Sequence, residues 1–223
     1  MTDRGRGAAR RPGRTALAAT AAFALLTAVL LLASDGPLPA DTALHDWSLR
    51  HRPALALALA RAVTATGTGV FPYVVVVLAG LAVGGTPRRR VTTAAGFALC
   101  LGAGQALRYA LMALVARPRP PAGDWATYAS NWSFPSGHAT TAALTAGLLI
   151  AALLLRGSPV PRLPLALIGG WAAAVGLTRV YLGVHWFSDV LGGWLFATAW
   201  LALAGSVRAR RPRTVALMTG STL

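Results

Sequence analysis

The stretch Arg179-Val-Tyr-Leu-Gly-Val-His185-Trp-Phe-Ser-Asp189, followed by the apolar run 190–206, decides the fold. It ends one apolar segment, 163–182, and starts another, 187–206, each long enough to cross a bilayer. Charged groups at membrane depth are costly, so an arginine, a histidine and a carboxylate at such a junction mark a functional site. Working outward, comparable apolar runs lie at 15–33, 70–85, 91–116 and 137–155. The expected fold is all-α: a polytopic membrane protein with a bundle of six transmembrane helices. Segment 54–66 is also apolar, but it carries Arg61 and ends at Gly67-Thr-Gly69. It reads either as an interfacial helix or as the first part of a long second span.

Composition agrees. Hydrophobic residues make up 55% of the chain and charged residues only 12%, too apolar for a soluble domain of 223 residues. Every one of the 21 basic residues is arginine, and the net charge is +15. That charge does not point to nucleic acid, because neither a recognition fold nor a basic soluble domain accompanies it. Instead the arginines cluster at 4–14, 88–90, 156 with 162, and 208–213, each beside an apolar segment. Such clusters belong on the cytoplasmic side. The first apolar run, with a core of about 19 residues, exceeds the usual signal-peptide core of about 7–15 and reads as a retained helix.

This orientation divides the chain into a basic cytoplasmic tail 1–14, a membrane domain 15–206 and a basic cytoplasmic tail 207–223. The opposite side receives loops 34–53, 117–135 and 183–186, which hold Asp35, Asp41, Asp46 and Asp124, four of the six acidic residues. They also hold Trp47, Trp125, Trp132 and Trp186, as an aromatic belt would. The polar cluster therefore belongs near the extracytoplasmic face of a cell membrane. Cys100 is the single cysteine and reads as a small core residue. Gly80 and Gly84 fit close helix packing, or simply small residues in an alanine-rich helix.

Three short runs carry chemistry. Pro135-Ser136-Gly137-His138 precedes the apolar run 139–155, so it opens that helix. Free N–H groups there, with those of Ser136 and Gly137 foremost, suit a phosphate, and Gly137 lets an anion approach closely. Downstream, His185 and Asp189 are four apart and share a helical face. A carboxylate on one imidazole nitrogen fixes the tautomer and makes the other a better nucleophile. Arg179 ends the fifth span, where its guanidinium can hold phosphate oxygens. Finally, Arg117-Pro118-Arg119-Pro120 stops the third span and sets two arginines at the same mouth.

At these residues the chain resembles the type 2 phosphatidic acid phosphatase superfamily, which includes membrane lipid phosphatases and vanadium haloperoxidases. The family motifs are Lys-x6-Arg-Pro, Pro-Ser-Gly-His and Ser-Arg-x5-His-x3-Asp. The second stands intact at 135–138, and the third appears as Thr178-Arg179-x5-His185-x3-Asp189, with Thr for Ser. The first lacks its lysine: Met112 lies seven before Arg119, and Ala110 seven before Arg117. Arg108, one turn before Met112, is the nearest upstream base. The resemblance covers roughly residues 50–206.

The resemblance implies a membrane lipid phosphatase acting on a phosphomonoester or diphosphate of a lipid through phosphohistidine. His185 would attack phosphorus, Asp189 would orient it, and His138 would protonate the leaving oxygen and then activate water. Arg119, Arg179 and Arg117, with Ser136 and Gly137, would hold the phosphate. Arg108 is expected to contribute less than Arg119, because helical side chains lean towards the N-terminus and away from the mouth. No acidic cluster suggests a metal, and no cofactor is implied. Rival readings are a vanadate-binding haloperoxidase, a phosphoryl transferase, and a non-catalytic membrane protein that only binds an anion or lipid. The partner is a membrane lipid, and the oligomeric state is left open.

Overall fold

The computed structural model describes residues 4–34, 36–157 and 159–210. Asp35, part of the expected outer loop, and residues 211–223 of the expected C-terminal tail lie outside them. The chain is all-α: α1 (Arg4–Leu32), α2 (Pro39–Arg50), α3 (Ala54–Ala65), α4 (Val70–Leu81), α5 (Pro87–Val115), α6 (Gly137–Leu155), α7 (Arg162–Tyr181) and α8 (Phe187–Arg210), with a 3-10 turn at Ala122–Asp124. Five of these are long and apolar enough to span a membrane: Gly13–Leu32, Pro87–Val115, Gly137–Leu155, Arg162–Tyr181 and Phe187–Val207. A sixth span arises if α3 and α4, bent by 53°, are one broken crossing. The protein is a multi-pass membrane protein.

Local chemistry explains the ends. Thr86 caps α5 by accepting the Arg89 N–H at 3.3 Å, and Pro87 occupies the first turn, where its missing N–H costs nothing. The helix stops at Ala116, in the left-handed region at φ 52°, just before Arg117-Pro118. The break between α3 and α4 follows from Gly69 at φ 70°. Helix α7 closes at Gly183, also in the left-handed region at φ 72°. A side chain there would meet the Asp124 carbonyl oxygen at 2.6 Å and Arg52 Nη2 at 2.7 Å, so only glycine fits.

Segment 34–53, expected as a loop, contains α2. Pro39 starts this helix, and Asp41 in its first turn accepts the Leu38 N–H at 3.0 Å. Its low hydropathy hid it from a search for spans.

The core sits at the crossing of α4, α5, α6 and α8, where Val76, Phe97, Leu101, Leu144, Leu148 and Ala197 pack together. A second cluster, Ala142, Ala146, Ala172 and Val175, joins α6 to α7. Helix α1 packs along α8, and its Phe23 ring stacks on Phe134 with centroids 5.6 Å apart. Gly80 lies against the backbone of Ala94, so the small residue does let α4 and α5 approach. The outer surface is apolar: Leu32 is 86% exposed and Leu114 80%. A soluble bundle would bury such residues, whereas lipid solvates them.

The C-terminal ends of α5 and α7 and the N-terminal ends of α6 and α8 gather at one end of the bundle. The start of α1, the end of α8 and Arg88–Arg90 lie at the other.

Candidate active site

A cavity of about 440 Å³ opens where these four helix ends meet the bend between α3 and α4. Arg108, Arg119, Gly137, His138, Arg179 and His185 all contribute to its wall. Three separate sequence runs thus converge on one space. Ser136 and Arg117 do not line it.

His185 sits in the turn before α8 and is 2% exposed. Its Nδ1 lies 3.3 Å from Asp189 Oδ2, while Nε2 lies 2.9 Å from Arg119 Nη1. A guanidinium can only donate, so Nε2 is the acceptor and the proton resides on Nδ1, directed at Asp189. Burial, then the positive charges of Arg119, Arg179 and Arg108, hold the His185 pKa well below the usual imidazole value. The imidazole is therefore neutral, with its lone pair facing the cavity.

Asp189 is fully enclosed. Its Oδ2 accepts the Trp186 N–H at 2.8 Å, and its Oδ1 accepts Arg117 Nη1 at 2.6 Å and Ser133 Oγ at 3.3 Å. Arg117 is 0% exposed and reaches Asp189 on one side and Asp41 on the other. This corrects its expected role as a phosphate ligand. The turn at Ala116 sends Arg117 inward and Arg119 into the cavity. Breaking such a buried pair costs about 3–5 kcal/mol.

Arg119 has five N–H donors, and each is engaged. They go to the carbonyls of Ser130, Asn131, Trp132 and Val184, and to His185 Nε2. Arg179 is different: Nη1 donates to Thr64 Oγ1 at 3.2 Å, but Nε is buried with no partner. A buried orphan donor costs about 1–3 kcal/mol, which a bound anion would recover. Arg108 is also loosely held. Its Nε donates to Gln105 Oε1 at 3.2 Å, Nη1 approaches Met112 Sδ at 3.3 Å, and the guanidinium lies 3.7 Å above the Tyr109 ring. Gln105 is in turn anchored on Thr141.

The Arg108 side chain thus runs towards the C-terminal end of α5, against the expected lean. Its length carries the head to Met112, where the family motif has lysine. It also lies 3.4 Å from where a Cβ on Gly137 would sit. The guanidinium thus meets the start of α6 at van der Waals distance.

At that start, the Ser136 N–H already donates to the Asp189 carbonyl oxygen at 3.0 Å, and Ser136 Oγ is buried without a partner. The serine neither caps α6 nor offers its N–H to a ligand, which corrects the expected cradle. Gly137 and His138 remain, with the open N–H groups of the first helical turn. Trp186, expected in an aromatic belt, is instead 8% exposed and packs its ring 5.3 Å from His45. Among the described residues, no group of three or more His, Cys, Asp or Glu side chains could hold a metal ion.

The whole arrangement is a neutral imidazole, backed by a carboxylate, facing an anion receptacle of guanidinium groups and a helix N-terminus. Such an arrangement is chemically suited to phosphoryl transfer with electrostatic stabilisation. The chain belongs to the PAP2 superfamily, whose model matches residues 93–213, more than half of its length. It is similar to phosphatidylglycerophosphatase B of Bacillus subtilis (strain 168), with 33% identity over 130 residues, 56% of this chain and 60% of that one. It also resembles an undecaprenyl-diphosphatase of Sulfolobus acidocaldarius, 40% identical over 76 residues, 33% of this chain and 32% of the relative. The matched region thus spans less than two thirds of either relative. The crystal structure of a transmembrane PAP2 type phosphatidylglycerolphosphate phosphatase from Bacillus subtilis shares the fold, with a TM-score of 0.73 and 24% identity over 90% of this chain and 98% of that one.

Proposed function

We propose that this protein is a membrane-embedded phosphatase that hydrolyses a phosphomonoester or diphosphate of a lipid. The observation that carries the proposal is the neutral His185, hydrogen-bonded through Nδ1 to Asp189 and presenting Nε2 to a cavity with unsatisfied arginine donors. The relatives' substrate classes, phosphatidylglycerophosphate and a polyprenyl diphosphate, both fit a site of this charge at a membrane surface.

The proposed steps use the groups that line the cavity. An incoming phosphate oxygen is a better acceptor for Arg119 than imidazole, so it draws the Arg119 N–H off Nε2 and frees the lone pair. Arg179, Arg108 and the first turn of α6 hold the other oxygens. Nε2 bonds to phosphorus as the lipid–oxygen bond to phosphorus breaks, and His138 gives that oxygen its proton. Asp189 opposes the positive charge that develops on the imidazole. Water then attacks phosphorus and passes a proton to His138. The phosphorus–nitrogen bond breaks, and phosphate leaves with His185 neutral again.

The arginine distribution supports an extracytoplasmic site. Arg88–Arg90, Arg156 and Arg162 belong to the end of the bundle opposite the cavity, as cytoplasmic flanks would. The test is phosphate release by the purified protein from a panel of phosphatidate, phosphatidylglycerophosphate and a polyprenyl diphosphate, with EDTA and vanadate arms. We expect release from at least one, inhibition by vanadate and indifference to EDTA. Activity lost in EDTA and restored by magnesium would overturn the mechanism.

A further inference from the structure

We propose that Asp41, on α2 and outside the region that defines the superfamily, is a positioning residue for the nucleophile. Through a buried ion pair with Arg117 it sets the orientation and charge that Asp189 presents to His185.

Asp41 is 1% exposed, and both of its oxygens are engaged at the start of α8. Oδ1 accepts the Ser188 N–H at 2.7 Å, and Oδ2 accepts Ser188 Oγ at 2.6 Å and Arg117 Nη2 at 3.0 Å. Arg117 turns its other amino group to Asp189 Oδ1 at 2.6 Å and Ser188 Oγ at 2.7 Å. Nη2 is held further by the Gly36 carbonyl oxygen at 3.0 Å. The order is therefore Asp41, Arg117, Asp189, His185, with Ser188 bracing the first two. Asp41 lies 147 positions from Ser188 in the chain, so α2 is bolted to the reactive turn from a distance.

The charges explain why a second carboxylate is there. Among the described residues, one guanidinium between two carboxylates leaves this buried group net negative. With Arg117 on Asp189 alone, the pair would be neutral, and Asp189 would oppose the imidazolium-like phosphohistidine less strongly. Asp41 divides the guanidinium between two acceptors and leaves Asp189 the more effective partner for Nδ1–H. A buried group of this kind acts strongly because its dielectric is low. If Asp41 merely docked α2, its removal would lower stability and leave the Asp189–His185 bond as it was.

The proposal rests on the phosphatase reading for its kinetic consequence but not for its structural one, so the experiment reads both. The His185 Nδ1 proton is followed by NMR in the full chain in detergent, assigned by its absence in His185→Ala. Turnover of short-chain phosphatidate is measured on the same samples. In Asp41→Asn the proton resonance should move upfield or vanish. The kcat should fall about tenfold to a hundredfold, as loss of an outer-shell partner does, with KM within about twofold. In an Asp189→Asn background, Asp41→Asn should have no further effect on kcat, because its route to His185 is already cut. Ser188→Ala, a minimal change that removes the brace, should move the resonance the same way and less far. An unchanged resonance in Asp41→Asn, or in Ser188→Ala if Asp41→Asn does not fold, overturns the proposal. So does an Asp41→Asn effect that persists undiminished in the Asp189→Asn background. A resonance that moves in a protein whose wild type releases no phosphate from any lipid sustains the positioning role and refutes the phosphatase reading instead.

Discussion

The two walls of the cavity are built on opposite rules. On the wall formed by the α7–α8 turn and loop 117–135, the reactive groups are fully engaged. Arg119 uses all five donors, and Asp189 accepts from four partners. On the wall formed by α5, the end of α7 and the start of α6, the donors are less fully engaged: Arg179 Nε is buried and unpartnered, and Arg108 is held by one amide oxygen and a thioether sulfur. A saturated wall fixes geometry before substrate arrives, which removes reorganisation from the reaction step. An unsaturated wall leaves donors for an incoming acceptor, and an anion is the strongest acceptor for guanidinium groups. On the proposed mechanism, one wall is the machinery of transfer and the other the receptor for phosphate.

The largest effect should come from emptying the saturated wall of its proposed nucleophile. His185→Ala is expected to lower turnover about 10⁴-fold or more, as loss of a nucleophile does, and to trap no phosphoenzyme. His138→Ala should slow turnover strongly but leave phosphohistidine detectable after a mildly alkaline quench. Appreciable turnover by folded His185→Ala would dissolve the distinction between the walls.

The arginines sharpen it. Arg179→Gln and Arg108→Gln should weaken inhibition by vanadate and raise KM, with kcat/KM down about a hundredfold, or 2.7 kcal/mol at about 1.36 kcal/mol per decade. Arg119→Gln should act on kcat and leave vanadate inhibition less changed, because the bond Arg119 gives an arriving anion replaces the one it already makes to His185. This gives Arg108 the larger share in ground-state binding, the reverse of what helix geometry alone suggested. Should Arg119→Gln weaken vanadate more than Arg108→Gln does, in equally stable proteins, the division of labour is wrong.

The sequence made some of this legible and hid the rest for physical reasons. Spans were readable because lipid demands long apolar runs, and boundaries agreed to within a few residues for 137–155 and 163–182. That His138, Arg179 and His185 face one cavity, with Asp189 behind His185, was legible because they fall in two short motifs. Arg119 was favoured over Arg117 as the motif arginine, but the inward turn of Arg117 was not legible, since it follows one left-handed residue, Ala116. Asp41 could not be found at all: its partners are 76 and 147 positions away. The Pro39–Asp41 helix start was a usable sign that α2 exists, though not of what it touches. Ser136 misled because a serine before a helix usually caps it, while here its N–H serves Asp189.

The smallest expected effect concerns pH, and it tests whether the charge of one wall reaches the nucleophile of the other. Burial comes first in lowering the His185 pKa, followed by Arg119, Arg179 and Arg108. An imidazole with a lowered pKa stays neutral as pH falls through the ordinary value of about 6.5. The acid limb of kcat/KM, which reports the free enzyme, should therefore begin below that value so far as His185 sets it. The phosphate's own titration lies in the same range, so the informative measurement is a difference between variants on one substrate. Removing one positive charge in Arg119→Gln relieves part of the penalty on protonating His185. Its pKa rises, and the acid limb moves to higher pH. Arg179→Gln should move the limb the same way. Stability has a matching sign: a histidine kept neutral in the folded state favours unfolding as pH falls below its unfolded value, so these variants should lose less thermal stability in acid than the wild type does. Acid limbs that coincide in wild type, Arg119→Gln and Arg179→Gln would mean that burial alone, not the arginine ring, keeps His185 unprotonated.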